Sequence, residues 1–130
     1  MTDSRLFDDL YAPVLAEIEQ RARVGDRFLD KDVYRIYLAT LWANAVLEPG
    51  RAGLEADDLE AFYDYLNARS RTLLGGEEPV LDCFRYLIGK QGGPAMERAH
   101  VPADHRAQLL RFAGLMGLAR PDRQRDWTGP

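Results

Sequence analysis

The sequence predicts an all-α, single-domain bundle of about five helices packed around one central apolar helix. Two observations carry this reading. The stretch Lys31–Leu47, KDVYRIYLATLWANAVL, has helical length and is apolar on nearly every face. Elsewhere, apolar residues recur at helical spacing between Gly- and Pro-containing breaks, with no alternating run long enough for a sheet and no internal repeat. At roughly 100° per residue, Val33, Tyr37 and Leu41 fall on one side of the central stretch and Leu38, Trp42 and Val46 on the opposite side. Ile36, Ala43 and Leu47 lie between, and only Arg35, Thr40 and Asn44 interrupt the ring. A helix of that kind must be covered on more than one side.

The elements follow in order. Helix one is expected from Ser4 to Val24, with Leu6, Leu10 and Val14 lining up with Phe7, Tyr11, Ile18 and Ala22. Glu17–Arg21 and Glu19–Arg23 form i,i+4 pairs on its outer face. Pro13 cannot donate to the carbonyl four residues back, so it either kinks this helix or starts a second one. Gly25 is a stop signal. Asp30 caps the central helix, with Leu29 as a hydrophobic staple, and Pro49-Gly50 ends it. Helix three opens on the capping box Asp57-Asp58-Leu59-Glu60 and buries Leu59, Phe62, Tyr63, Leu66 and Leu73 until Gly75-Gly76. Helix four, Pro79 to about Ile88, turns Val80, Leu81, Phe84, Leu87 and Ile88 inward. Residues 89–94, GKQGGP, read as loop, with a brief turn near Ala95–Arg98. Helix five runs from Pro102 or Ala103 to about Met116 on Leu109, Phe112 and Met116. Residues 1–118 thus form the helical domain, and 119–130 a polar C-terminal tail expected to be mobile.

A chain of 130 residues is one domain by length and can bury a core without a metal or disulfide staple. Cys83 is the only cysteine, which excludes an internal disulfide and points to a reducing compartment. The first residues are acidic where a signal peptide is basic, and no apolar run reaches membrane-span length, so a cytoplasmic location without membrane contact is expected. A formal charge of −4 counts against nucleic acid as the main partner. Lysine occurs only at Lys31 and Lys90, a bias toward Arg that reads as a GC-rich bacterial genome.

Candidate chemistry is sparse. Lys90 in its Gly-rich loop follows a helix and lacks the hydroxyl neighbour and strand context of a phosphate loop. His100 and His105 straddle Pro102 at a spacing poorly suited to a shared metal. Glu55, Asp57, Asp58, Glu60 and Asp64 suit a helix N-terminal turn on dipole grounds alone. Cys83 falls on an apolar face, where a thiol is a small hydrophobe. Ser4 and Ser70 have no nucleophile context. No stretch matches a family motif, so no catalytic, metal or cofactor residue is assigned and no enzyme is expected.

Two features point to partners. The tail interleaves Arg120, Arg123 and Arg125 with Asp122 and Asp126 and adds Trp127, and Arg and Trp are the residue types enriched at binding hot spots. On the central helix, Leu38, Trp42 and Val46, with Arg35 in line, would form a homodimer or partner face if that side stays uncovered. The leading expectation is a non-catalytic protein–protein interaction module: a small subunit, adaptor, inhibitor or dedicated chaperone using apolar and arginine anchors. The alternatives are a transcription-associated regulator using the Arg-rich C-terminal segment, and a small-ligand binder or enzyme with an inter-helical pocket near Thr40 and Asn44.

Overall fold

The structure, a computed structural model, describes residues 4–25, 28–51 and 53–113. The described residues form helices α1 (Ser4–Arg21), α2 (Lys31–Leu47), α3 (Leu59–Leu74), α4 (Pro79–Leu87), α5 (Gly92–Arg98) and α6 (Ala103–Ala113). A small ribbon, β1 (Arg23–Val24) and β2 (Phe28–Leu29), links α1 to α2, and a 3-10 turn at Ala56–Asp58 leads into α3. The protein is an all-α bundle around α2, which touches each of the other five helices. Ile36, Leu38, Ala39 and Trp42 have no exposed surface, as a helix apolar on every side requires.

Three local features differ from the sequence expectation, each for a physical reason, and of the alternatives left open at Pro13 the split into two helices does not occur. Helix α1 ends at Arg21 rather than Val24, because Arg23 and Val24 pair antiparallel with Leu29 and Phe28 and the Asp30 amide closes the ribbon on the Ala22 carbonyl at 2.8 Å. It also runs unbroken through Pro13, whose ring is on the exposed side, where water can serve the carbonyl that loses its donor. The capping box before α3 is not made: Asp58 accepts instead from the Glu55 amide at 3.0 Å and closes the 3-10 turn. Residues 92–94, expected as loop, open α5. Pro94 is tolerated in a first turn, and Gly92 is buried so closely against α4 that a Cβ there would lie 2.1 Å from the Leu87 carbonyl oxygen.

The other junctions are held by named polar contacts. Asp30 caps α2 by accepting from the Asp32 and Val33 amides at 3.1 and 3.2 Å, as expected. The turn from α3 to α4 passes through Gly75 at φ 78°, ψ 179°, a region essentially reserved for glycine. Glu78 makes no side-chain cap on α4, and the buried Asn67 of α3 does so instead, its Oδ1 accepting from the Val80 amide at 2.9 Å. Helix α5 ends with His100 at φ 58°, donating to the Glu97 carbonyl, while Val101 donates to the Met96 carbonyl. Those two bonds are a Schellman closure, and they give His100 a structural role in the left-handed position usually held by Gly or Asn.

The core is aromatic between α1, α2 and α3. Phe7 and Tyr11 of α1 lie 5.6 and 4.5 Å from the Phe62 ring, and Trp42 lies 5.0 Å from Tyr63. Phe84 of α4 meets Phe112 of α6 at 5.4 Å. Ile88, expected inward, stands at the end of α4 with 40% of its surface exposed.

Candidate functional site

The face expected on α2 through Trp42 is not available as a surface. Trp42 and Leu38 are fully buried and Val46 is buried, with Trp42 packed on Phe62 and Tyr63 of α3. Arg35 is engaged within the fold. It pairs with Asp32 at 2.6 Å, and its guanidinium lies 5.3 Å over the Tyr86 ring. Arg120, Arg123, Arg125 and Trp127 lie outside the described residues.

The open apolar surface lies elsewhere on α2. Toward its C-terminal end, α1, α2 and α6 diverge and leave a groove of about 600 Å³. Leu41 and Ala45 of α2 and Tyr11 and Val14 of α1 provide its apolar lining, with Leu10 and Leu47 beside them. Asn44, Glu48, Arg51, His105 and Gln108 supply the polar part of the lining. Leu10 is 41% and Leu47 47% exposed. Pro49 and Gly50 then turn the chain through Glu48–Leu54, where Leu54 donates back to the Pro49 carbonyl at 2.8 Å.

The polar groups of the groove are largely committed to each other or to solvent. Glu48 pairs with Arg51 at 3.2 Å with both side chains well exposed, an arrangement worth little in water. Burial pushes the Tyr11 hydroxyl up from its ordinary value, so it stays protonated at neutral pH. Thr40, expected beside Asn44, donates to the Ile36 carbonyl at 2.8 Å and is satisfied within its own helix. Asn44 is exposed at the groove.

A second apolar exposure is the ribbon, where Val24 and Phe28 pair across the strands and are each 61% exposed. Two facing side chains make a knob, not a groove. A smaller recess of about 410 Å³ lies between α1 and α3 over Tyr34, with Leu15, Leu73 and three alanines in its lining beside Glu19, Arg69 and Thr72. Burial raises the Tyr34 hydroxyl there.

The remaining sequence candidates are dispersed. Cys83 is buried and its thiol is pushed strongly upward by desolvation, the setting of an inert cysteine. His105 is exposed beside Asp104, whose carboxylate accepts the His105 amide at 3.0 Å. Among the described residues no three His, Cys, Asp or Glu side chains gather to hold a metal ion. No helix of the described residues is long and apolar enough to cross a membrane. On α4, Asp82 and Arg85 pair with each other at 3.2 Å, and Pro79, Val80, Leu81, Cys83, Phe84 and Leu87 are buried. Arg106 reaches Glu97 at 4.0 Å, and Arg111, five residues on, points about 140° away around α6, so these two do not build one basic face.

Sequence reasoning missed Leu10, Leu41 and Leu47 as surface, because each reads as part of an apolar stripe. The sequence signal that bears on them is the Glu48-Pro49-Gly50 break, which ends α2 while its last turn is still apolar. No protein-family model, curated protein or solved structure matches the chain.

Proposed function

We propose that this protein is a non-catalytic interaction module that receives one apolar helix face of a protein partner in the groove between α1, α2 and α6. The observation that supports the reading is the pairing of Leu10 and Leu47, exposed beside an apolar lining of Leu41, Ala45 and Val14. Helix-in-groove recognition uses apolar anchors at i, i+3 or i+4, and i+7, and an inter-helical trough with leucine edges suits that spacing. The polar groups at the groove set orientation and contribute little affinity, as exposed charges at an interface edge do.

The test is affinity capture from lysate of the source organism with the full chain, its Leu10→Arg variant and its Phe28→Ser variant. A stoichiometric protein retained by the wild type and by Phe28→Ser but lost from Leu10→Arg supports the groove. Equal retention by all three, or loss only with Phe28→Ser, contradicts it. One specific observation favours a second reading. The groove volume of about 600 Å³ falls in the range of small-molecule sites, with Asn44, His105 and Gln108 as orienting groups, so a small apolar ligand is the alternative occupant.

A further inference from the structure

We propose that the recess between α1 and α3 is a binding site for a small organic carboxylate, held by Arg69 and the Tyr34 hydroxyl with its hydrocarbon part against Leu15 and Leu73. The recess shares no lining residue with the groove, so this inference stands apart from the function proposed above. Side-chain size builds it. Ala12, Ala16 and Glu19 fall at i, i+4 and i+7 along one stripe of α1, and Ala68 and Thr72 at i and i+4 line the α3 side. The three alanines are too short to fill the space between the helices. About 410 Å³ is left, within the range of small-molecule sites.

Two features of the recess select the ligand. The first is an unused proton. Tyr34 is 2% exposed and lines the recess, and Glu19 and Arg69 both act on its hydroxyl by charge, which puts that end of the ring at the opening. Ser70 beside it is fully buried, and no close hydrogen bond satisfies its Oγ. Even where Ser70 donates to Tyr34, two hydroxyls carry two protons and a single bond uses one of them. The phenol proton is then left for the recess, and burial keeps the phenol protonated at neutral pH. The second feature is charge. Glu19 binds Arg23 at 2.6 Å rather than Arg69, and Arg69 makes no ion pair among the described residues. An open guanidinium beside a donor hydroxyl suits a planar carboxylate, which accepts from both. A single cation with Glu19 nearby disfavours a dianion such as phosphate. Leu15, Leu73 and the alanine methyls offer no partner to a polar body, so a short hydrocarbon part completes the ligand.

The experiment is an amide titration of the full chain, labelled with nitrogen-15, with hexanoate and with benzoate. Hexan-1-ol serves as the neutral control and inorganic phosphate as the control for charge alone. The expected result is saturable shifts at residues 12–19 and 68–73 with at least one carboxylate, while groove residues 41–51 stay unmoved. Arg69→Gln and Tyr34→Phe should each weaken binding by about tenfold or more, the worth of one charge-assisted hydrogen bond. Neither change should disturb the fold, since Arg69 is exposed and Phe keeps the buried ring. Ala16→Leu, at another exposed position, should block binding by filling the recess. Failure of both carboxylates to saturate overturns the proposal. So do equal binding of hexan-1-ol or phosphate, shifts confined to the groove, or wild-type affinity in any of the three variants.

Discussion

The two ends of α2 are finished by opposite chemistry. At its N-terminus, Asp30 caps the helix and also receives Arg98 of α5, Nε to Oδ2 at 3.0 Å, while Arg98 lies 3.7 Å from Asp32. Arg35 sits over Tyr86, whose hydroxyl donates to the Gln91 carbonyl at 3.2 Å, so α2, α4 and the start of α5 share one polar latch. At its C-terminus the last turn carries no basic residue, Glu48 pairs with nearby Arg51, and Leu47 faces outward. The first end spends its polar groups on holding the fold together. The second leaves apolar surface uncovered, and uncovered apolar surface beside a concave floor is where binding energy is available. The difference teaches that a helix buried over most of its length can still present a docking edge where its cover stops.

The largest expected effect tests the closed middle of α2. Trp42→Ala removes a fully buried ring packed on Tyr63 and Phe62 and should cost about 3–5 kcal/mol in denaturant unfolding. A cost near zero would mean that this side is open after all. Next, Gly92→Ala places a methyl against the Leu87 carbonyl, a backbone atom that cannot yield cheaply. The expected loss is about 2–3 kcal/mol, measured the same way.

Smaller effects separate the two ends. Asp30→Ala removes the cap and should cost about 1 kcal/mol at neutral pH. Burial alone would raise the Asp30 carboxyl, but hydrogen bonds from Arg98 and the Val33 and Asp32 amides, with the charge of Arg98, hold it below its ordinary value. A carboxyl lowered in the folded state stabilises above its ordinary pKa, and that contribution fades as pH falls through the lowered value. Asp30→Ala should therefore lose part of the wild-type dependence on acid. The tyrosines act in the other direction. Burial first, then the Asp8 carboxylate that accepts the Tyr65 hydroxyl and the negative charge of Asp32 near Tyr86, push Tyr65 and Tyr86 up to about 12 from an ordinary 10.0. Their contribution is complete below the ordinary value and is lost as pH rises toward about 12, so an unfolding midpoint followed by circular dichroism should fall across that window. The smallest effect belongs to the groove. Leu47→Arg should change stability by no more than about 0.5 kcal/mol, as substitutions of exposed residues do.

Much of this fold could be read from residues alone. The all-round apolar character of Lys31–Leu47, the Asp30 cap, the Glu17–Arg21 and Glu19–Arg23 pairs and the glycines after α3 all act over a few residues, and local spacing reports them. What escaped detection depends on distant partners. Helix α5 opens on two glycines and a proline, which look like loop until Leu87 is seen to leave Gly92 no room for a side chain. The Arg98–Asp30 pair spans 68 residues of sequence, and Asn67 caps a helix that is not its own. The candidate site was hidden for the same reason. Leu10, Leu41 and Leu47 carry the spacing of core residues, and only the divergence of α1 from α6 shows that part of each leucine is left uncovered. Trp42 carries that spacing too and is buried, so hydrophobicity on α2 could not tell its docking edge from its core.

The most direct test of the docking edge is hydrogen exchange of the full chain with and without the partner captured on it. Added protection should appear at Leu10–Val14 and Leu41–Arg51, with none at the Arg23–Leu29 ribbon. Protection at the ribbon or on the outer faces of α3 and α5, with the groove segments unchanged, would contradict the account.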